Sequence, residues 1–439
     1  MVFQLDQKVP PSAQSDQIDS TEIFDERESN VRSYSRSFPA IFSHARGACL
    51  YDTSGDRYID FLAGAGAMNF GHNHEAIKAA LIDYIVEDGL PHGLDLHTRA
   101  KSEFLSAFVT RVLQPRGLDY KVQFTGPTGT NAVEAALKIA RRATGRSEIF
   151  AFMGGYHGDS LGSLAATANR DHRRAAGVAL DNVTFMPFPA GAMAEIDTLA
   201  YLRSVLMDSH SGIDLPAGII VETVQAEGGV NVAPLEWLRE LRGICDDYGV
   251  ILIVDEVQTG VGRTGPYFSF ERSGIVPDIV VVSKSISGSG QPMALTLMRP
   301  ELDLWEPGEH TGTFRGNQLA FVTGTVAIDL FFSERLEAKT TENAKRIEGF
   351  LRSEILPLDR RLEMRGLGML WGIDTATIDP TGAIARAIGR RSFQNGLIVE
   401  RVGRNDTVLK ILPPLIIEPK ILDEGLGILA SATKAVLRP

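Results

Sequence analysis

The sequence predicts an α/β protein whose core is a mainly parallel sheet covered by helices. Two observations carry this prediction. Short runs of Ile, Val and Leu recur between residues 75 and 325, and amphipathic stretches of helical length separate them. Apolar runs this short, bounded by Gly and Pro, are typical of buried parallel strands. Their alternation with helices is typical of a helix-covered sheet.

The expected helices follow from apolar residues at helical spacing. They are Thr21–Arg36, Glu75–Gly89, Thr98–Val112, Asn131–Ala143, Leu235–Tyr248, Gln318–Phe332, Glu334–Ile355 and Thr381–Asn395. The expected strands are Ala48–Tyr51, Tyr58–Leu62, Val122–Phe124, Ile149–Met153, Gly218–Val221, Ile251–Val254, Ile279–Val282, Leu295–Met298 and Val408–Leu415. The first two strands flank a Gly-containing turn, which predicts a β-hairpin.

Length and composition bound the class of protein. The chain has 439 residues and 44% hydrophobic residues, which is ordinary for a globular protein with more than one domain. Its net charge of −11 argues against binding to nucleic acid or to a membrane. Cys49 and Cys245 lie next to apolar residues, so we expect reduced thiols and a cytoplasmic protein. Residues 1–20 are polar, and we expect a mobile extension there.

Two expected strands each carry a functional group at the carboxyl end. Ile251–Val254 runs into Asp255, and Ile279–Val282 runs into Ser283 and Lys284. Ligands of open α/β sheets bind at that edge. A pyridoxal phosphate enzyme needs such a pair, because the lysine forms the Schiff base with the cofactor aldehyde and the carboxylate keeps the pyridine nitrogen protonated. Two unit charges about 4 Å apart interact by roughly 4 kcal/mol at an effective dielectric of 20, which is enough to hold that proton.

Each residue also has a simpler interpretation. An Asp after a strand is often a turn or helix cap, and a Lys in a loop is usually solvated. The pair gains weight only beside a phosphate-binding turn, and the chain offers one. Thr125–Thr130 leads from an expected strand into the helix Asn131–Ala143, which combines free N–H groups, hydroxyls and the positive end of a helix dipole. A plain helix cap at Thr130 is the alternative.

A third loop follows the strand Ile149–Met153. It reads Gly-Gly-Tyr-His-Gly, and Tyr156 or His157 is suited to stack on a planar ring, although a packed tyrosine beside a glycine turn is an equal alternative. His72–Glu75 has two histidines and a glutamate, but no further ligands at matching spacing. We therefore expect no metal site there.

A dinucleotide-binding loop is the rival interpretation. Gly260–Gly265 matches G-x-G-x-x-G after a strand, which would indicate a nicotinamide-dependent dehydrogenase. Pro266–Phe270 is a poor helix start, however. The five residues Asp255–Thr259 also make the strand-to-glycine turn too long. The rival interpretation is therefore disfavoured.

Taken together, these stretches resemble one family. They are GPTGTNAVEAA (Gly126–Ala136), GGYHG (Gly154–Gly158), VQAEGG (Val224–Gly229), DEVQTGVGRTG (Asp255–Gly265), SK (Ser283-Lys284), GTFRGN (Gly312–Asn317) and PPL (Pro413–Leu415). From about Thr21 the chain resembles the class III aminotransferases of pyridoxal phosphate fold type I. The resemblance implies a large domain (residues 75–325) and a smaller α+β domain built from both chain ends (21–74 and 326–439).

The resemblance also implies a site. Lys284 would hold pyridoxal 5′-phosphate and shuttle the proton, and Asp255 would pair with the pyridine nitrogen. The remaining cofactor contacts would come from Gly129 and Thr130 at the phosphate, Gln258 at the ring hydroxyl, Tyr156 stacking on the ring, His157 beside it, and Thr313 of a neighbouring subunit at the phosphate. A site completed by a second chain implies a homodimer.

Substrate contacts are where this chain departs from the family. Many relatives have an Arg just before the Pro-Pro-Leu run that grips the substrate α-carboxylate, but this chain has Lys410. Lysine is a point charge without the bidentate fork. Glu227 matches a glutamate that pairs with that Arg in relatives, so we expect it to pair with Lys410. Arg263 and the loop Ala63–Met68 are the next candidates.

Four further stretches are RSYSRSFPAIF, YIDFLAGAGAMNFGHNH, RGLDYKVQFTG and WEPGEHTGTFRGN, and they resemble an ectoine-pathway branch of the family. This branch implies that L-glutamate donates its amino group to L-aspartate 4-semialdehyde, giving L-2,4-diaminobutyrate. The alternatives within the fold are another ω-aminotransferase of secondary metabolism and an aminomutase, which needs no external donor. A binding protein without cofactor is a third class, and the intact Lys284 and Asp255 argue against it.

Overall fold

The computed structural model describes residues 21–438, so the predicted extension of residues 1–20 lies outside the described residues. The strands are β1 (Phe42–Arg46), β2 (Cys49–Asp52), β3 (Arg57–Asp60), β4 (Lys121–Phe124), β5 (Ile149–Phe152), β6 (Val183–Met186), β7 (Gly218–Val221), β8 (Val224–Gln225), β9 (Asn231–Val232), β10 (Ile251–Asp255), β11 (Ile279–Val282), β12 (Leu295–Met298), β13 (Glu363–Leu367), β14 (Leu370–Asp374), β15 (Leu397–Ile398), β16 (Glu400–Val402) and β17 (Val408–Ile411).

Apart from the turn Ala63–Gly66, the α-helices are Glu22–Arg27, Tyr34–Ser37, Glu75–Val86, Arg99–Ala107, Gly129–Thr144, Leu161–Ala166, Arg170–Arg174, Thr198–Met207, Leu235–Tyr248, Gln318–Ser333, Leu336–Phe350, Ala383–Gln394 and Pro419–Leu437. The helices expected after residue 74 are all present and overlap their expected ranges. The sequence did not predict Leu161–Ala166, Arg170–Arg174, Thr198–Met207 and Pro419–Leu437. Within residues 21–438, no helix is both long and apolar enough to cross a bilayer.

A seven-stranded sheet forms the centre, in the order β4-β12-β11-β10-β7-β5-β6. The pairs β11–β10, β10–β7, β7–β5 and β5–β6 are parallel, whereas β12 runs antiparallel to both of its neighbours. The five inner strands are buried along almost their whole length, which explains why apolar residues fill both faces, whereas the edge strands β4 and β6 are only partly buried. The prediction of a mainly parallel, helix-covered α/β sheet is confirmed.

Parallel pairing places the ends of β10 and β11 side by side. Asp255, the last residue of β10, lies opposite Val281 of β11. Lys284 comes two residues after the end of β11, so both groups lie at the carboxyl edge of the sheet. The fold therefore positions the predicted acid and lysine on one edge, as the strand pattern indicates.

Both chain ends form smaller sheets that pack on each other. β1, β2 and β3 form a sheet with β15 from the C-terminal part, and β13, β14, β17 and β16 form another. Their residues share one buried core, in which Ile59 and Phe61 pack with Leu409 and Leu426. The domain boundaries at residues 75 and 325 stay a prediction.

Some element boundaries differ from the expectations for local reasons. The expected helix Thr21–Arg36 is two short helices, because the intervening Ser29–Arg32 segment carries poor helix formers such as Ser and Asn. The sequence interpretation did not include the helix Pro419–Leu437, although Pro at its first position and six buried side chains are typical of such a helix.

Arg263 joins the large sheet to the C-terminal part of the chain. Its side chain is completely buried, and its guanidinium donates to the carbonyl oxygens of Met369 at 3.0 Å and Pro413 at 2.5 Å and to the side chain of Asn69. Burial lowers the pKa of Arg263 to about 9, while the charge of Asp60 opposes that shift. These contacts indicate a structural role, and a substrate contact of Arg263 stays a prediction.

The substitution Arg263→Met tests this structural role. It leaves three buried acceptors without donors, and we expect unfolding free energy to fall by about 3 kcal/mol. Urea unfolding measures this loss, and Arg404→Met, at an exposed position, serves as the control and should change stability by less than about 0.5 kcal/mol. Unchanged stability with weakened substrate binding would instead favour a substrate contact.

Candidate active site

His157 and Asp255 form a buried pair at the edge of the sheet. His157 follows β5, Asp255 ends β10, and Nδ1 of His157 lies 2.8 Å from Oδ2 of Asp255. The other carboxylate oxygen of Asp255 accepts from the backbone N–H of Val257 at 3.0 Å. The pair therefore fixes the direction in which Asp255 points, and His157 lies beside the acid.

Protonation of this pair is set by its surroundings. Burial lowers the pKa of His157, but the hydrogen bond and the charge of Asp255 outweigh burial, so the net shift is upward. Glu222, at the end of β7, accepts from the backbone N–H of Tyr156 at 2.9 Å. Burial raises the pKa of Glu222 to about 7, while the charge of His157 opposes the rise. His157, Glu222 and Asp255, which follow or end three neighbouring strands, thus form one buried cluster.

Lys284 lies on the same edge and has a strained backbone. Its φ is +52°, in the left-handed region that L-residues rarely adopt. Burial lowers the pKa of Lys284, and the charge of Glu227 opposes that shift. The neighbouring Ser285 hydroxyl donates to the carbonyl oxygen of Gly66 at 2.6 Å, which ties this turn to the N-terminal part of the chain. A lowered pKa makes the neutral amine more available for covalent chemistry.

A hydroxyl-rich cradle surrounds the start of the helix Gly129–Thr144. The Thr130 hydroxyl lies 2.7 Å from that of Ser160 and 2.5 Å from that of Ser163. Glu134 accepts from the N–H groups of Gly162 and Ser163 and so holds this loop against the helix. A Cβ on Gly158 would lie only 2.4 Å from the Thr130 hydroxyl. The predicted anion site at Gly129 and Thr130 therefore has the helix start, the hydroxyls and the close backbone approach that a phosphate needs.

Gln258 is held by a left-handed turn. Residues Ala63–Gly66 have positive φ throughout, with φ of 48°, 58°, 54° and 89°. This conformation presents the carbonyl oxygen of Ala65 to Gln258 Nε2 at 3.1 Å. The same amide donates to Glu227 at 3.0 Å and accepts from Lys410 Nζ at 3.1 Å. Gln258 thus links the cofactor-side residues to the predicted substrate contacts.

Lys410 is the most completely enclosed charge of this site. Its side chain has no exposed surface, and Nζ lies 2.5 Å from Oε1 of Glu227 and 2.9 Å from Oε2 of Glu400. Burial lowers the pKa of Lys410, but the charges of the two carboxylates outweigh burial and raise it. Burial raises the pKa of Glu227, yet Lys410 brings it down to about 2. The expected contact between Glu227 and Lys410 is present.

Tyr156 and Thr313 are placed differently. Tyr156 lies partly buried next to this cluster, with its backbone N–H on Glu222 and its hydroxyl 3.1 Å from Asp159. Thr313 is exposed in the loop before the helix Gln318–Ser333. That loop contacts the outer face of the cradle helix, where Lys138 donates to the carbonyl oxygen of Glu309. The role of Thr313 across a subunit interface stays a prediction.

The sequence interpretation missed two parts of the site. Glu222 ends a strand in the same way as Asp255, so the same strand-end argument identifies it. Glu400 and Tyr34 carry no such signal, because they reach the site from the small sheet and from an isolated helical turn.

The structure argues against a dinucleotide-binding loop at Gly260–Gly265. Such a loop should open a helix, but a short 3-10 turn, Ser269–Ser273, follows Gly265. No group of three or more potential metal ligands occurs in residues 21–438.

The arrangement fits pyridoxal 5′-phosphate. When the cofactor is bound, Asp255 could supply the acid for the ring nitrogen, Lys284 the amine for the aldehyde, and Gly129 with Thr130 a cradle for the phosphate. The fold and these residues together define a pyridoxal phosphate enzyme of the α/β class.

Comparison with known proteins identifies the family. The Aminotransferase class-III family matches residues 31–433. A diaminobutyrate--2-oxoglutarate transaminase of Wolinella succinogenes is 52% identical over 417 residues, covering 95% of this chain and 96% of that protein. The enzyme of the same name from Bordetella parapertussis is 50% identical, covering 94% and 95%. The ornithine aminotransferase of Toxoplasma gondii has the same fold, with a TM-score of 0.82, 24% identity and 94% of each chain covered. The chain belongs to the class-III aminotransferases.

The pH dependence of stability tests the His157–Asp255 pair. A raised pKa means that protonated His157 adds stability below its unfolded pKa of about 6.5, and this contribution is lost as the pH rises through the folded-state pKa. In Asp255→Asn, the charge that raises the His157 pKa is gone and burial lowers it, so the folded protein binds a proton on His157 less well. We expect the destabilisation caused by Asp255→Asn to be larger at about pH 6 than at about pH 9.

Urea unfolding of the cofactor-free protein measures this difference. Asp214→Asn, at an exposed carboxylate, is the control and should show no such pH dependence. A destabilisation that is constant with pH would contradict the pairing.

Proposed function

We propose that this enzyme transfers the amino group of L-glutamate to L-aspartate 4-semialdehyde, giving 2-oxoglutarate and L-2,4-diaminobutyrate. The relatives named for diaminobutyrate and 2-oxoglutarate, about half identical over nearly the whole chain, support the substrate pair. The structural observation that carries the proposal is the Glu227–Lys410 pair next to Lys284, because it suits a site that must accept two substrates of different charge.

The residues on the cofactor side have separate tasks. When bound, pyridoxal 5′-phosphate supplies an electron sink for the substrate carbon that loses its proton. Asp255, fixed by His157, provides the negative charge that keeps the ring nitrogen protonated. The amine of Lys284, with its lowered pKa, removes and returns the proton of the reacting carbon. The cradle at Thr130 holds the phosphate.

The two amino donors place different charges beside Lys410. Glutamate reacts at its α-carbon, so its α-carboxylate lies close to the reacting atoms. Diaminobutyrate reacts at C4, and its carboxylate lies further away. Glu227 opens for the first donor and pairs with Lys410 for the second. One site thus accepts both donors, because the buried ammonium always has a carboxylate partner.

Several finer assignments belong to the same proposal. We place the enzyme in the cytoplasm as a homodimer, with Thr313 of one chain at the phosphate of the other. The buried free thiols of Cys49 and Cys245 support the first assignment. Exposed Val86 and Phe314 support the second, since large apolar side chains are common in subunit interfaces. Sedimentation equilibrium tests the dimer. The genes beside the coding sequence test a place in ectoine synthesis.

Covalent attachment tests the role of Lys284. In Lys284→Ala we expect a folded protein that transaminates at least about a thousandfold more slowly, because both the cofactor attachment and the proton carrier are gone. Borohydride reduction and mass spectrometry of the wild type should find the pyridoxyl group on Lys284. Lys410→Met, which removes the other buried lysine of the site, should keep that adduct. A pyridoxyl group on a different lysine would contradict the assignment.

The substitution Glu227→Ala tests the exchange at Lys410. The lysine is then free of this partner, so the half-reaction with glutamate should be kept or improved and that with diaminobutyrate weakened about tenfold. Lys410→Ala should mainly damage the glutamate side. Single-turnover absorbance with each donor separates the two half-reactions. Equal losses for both donors in both variants would place the switch elsewhere.

A further inference from the structure

Glu400 is a second carboxylate on Lys410 and reaches it from a different element than Glu227 does. In the antiparallel pair of β16 and β17, Glu400 lies directly opposite Lys410. Side chains in such opposite positions on one face of a sheet are close neighbours. The cross-strand register therefore sets the 2.9 Å separation between Oε2 of Glu400 and Nζ of Lys410.

The ammonium of Lys410 donates to Oε1 of Glu227 at 2.5 Å and to Oε1 of Gln258 at 3.1 Å. It also forms an ion pair with Oε2 of Glu400, which lies 2.9 Å from Nζ. An arginine at this position would present a planar fork, whereas a lysine presents a point charge on a flexible four-carbon stem. The position of that charge therefore depends on the acceptors around it.

The two carboxylates differ in how firmly they are held. Glu227 lies on the turn between β8 and β9, and its side chain is 27% exposed. Glu400 lies within a strand, and its side chain is 9% exposed. The hydroxyl of Tyr34 donates to the second oxygen of Glu400 at 2.7 Å. Glu227 is the partner that can leave, and Glu400 is the fixed one.

We propose that Glu400 is a positioning residue that keeps the Lys410 ammonium in place while a substrate carboxylate replaces Glu227. The proposal rests on the exchange of Glu227 in the proposed function. With Glu227 as its only carboxylate partner, the flexible lysine would follow Glu227 when it moves. With Glu400 opposite, the ammonium keeps its buried position in the site, where the α-carboxylate of glutamate needs it.

Tyr34 extends this arrangement to the N-terminal part of the chain. The helical turn Tyr34–Ser37 contributes no other hydrogen bond to Glu400, and the ring of Tyr34 is 48% exposed. Tyr34 therefore orients Glu400 without contributing to the core. Removing its hydroxyl should loosen Glu400 and leave the fold intact.

Glu400→Gln and Tyr34→Phe test the proposal in the holoenzyme. Glutamine keeps the shape of Glu400 but removes its negative charge, so the ion pair with Lys410 is lost. Single-turnover absorbance with L-glutamate and with L-2,4-diaminobutyrate gives an apparent dissociation constant and a limiting rate for each donor. We expect Glu400→Gln to shift the ratio of the two dissociation constants about tenfold against glutamate, because a contact between two charged groups is roughly twice as strong as one with a neutral amide.

The background variant Lys410→Met separates positioning from structure. If Glu400 acts through Lys410, Glu400→Gln should add no further shift in the ratio once Lys410 is gone. Tyr34→Phe should shift the ratio in the same direction by a smaller factor, and this exposed substitution carries the test if Glu400→Gln does not fold. Equal losses for both donors, tighter glutamate binding, or a full shift in the Lys410→Met background would each overturn the proposal.

The outcome for the wild type keeps this proposal apart from the proposed function. If diaminobutyrate gives no half-reaction with the wild type, the proposed product is wrong. Glutamate binding that still weakens about tenfold in Glu400→Gln, and only when Lys410 is present, supports the positioning role in that case. A normal diaminobutyrate half-reaction with unchanged glutamate binding in Glu400→Gln retains the function and refutes the role of Glu400.

Discussion

Charges that are buried together at the carboxyl edge of the sheet must neutralise one another there, and the rest of the site follows from this constraint. Asp255 has His157 at 2.8 Å, and Lys410 has Glu227 at 2.5 Å. Removing one partner of a buried ion pair leaves an unpaired charge and costs about 4 kcal/mol of stability. Parallel strands bring these groups to the same edge, and the loops between the strands supply the partners.

The two pairs serve opposite purposes because they are built on different supports. Asp255 ends a fully buried strand, and both of its oxygens are fixed, one by His157 and one by a backbone N–H. The role proposed for Asp255 beside a ring nitrogen would gain from this rigidity, since preorganised groups need no rearrangement during the reaction. Glu227 lies on a turn and keeps partial exposure. The Asp255 pair is therefore rigid, whereas the Glu227 pair has the partial exposure that the proposed exchange needs.

The parts of the fold and site that the sequence predicted are those with a local signature. Ile251–Asp255 and Ile279–Val282 are short apolar runs, so the strands and the groups at their ends follow from the pattern alone. Glu400 belongs to a different case, because its position beside Lys410 comes from the register of two short strands in a small sheet. The left-handed turn at Ala65 is equally hidden, since only its contact with Gln258 explains the strained backbone. Long-range pairing left no periodic trace in the sequence.

A lysine at position 410 also ties the substrate contacts to the packing of the chain ends. Lys410 and Glu400 belong to the sheet formed by the C-terminal part, whereas Gln258 follows β10 of the central sheet and Glu227 follows β8 of the two-stranded sheet β8-β9. The ammonium is therefore a contact between two packed units as well as a ligand for carboxylates. Any displacement of the small sheet moves Lys410 relative to Gln258, and through Gln258 relative to the turn at Ala65. The substrate recognition proposed for Lys410 would thus depend on the same buried contacts that hold the two parts of the molecule together.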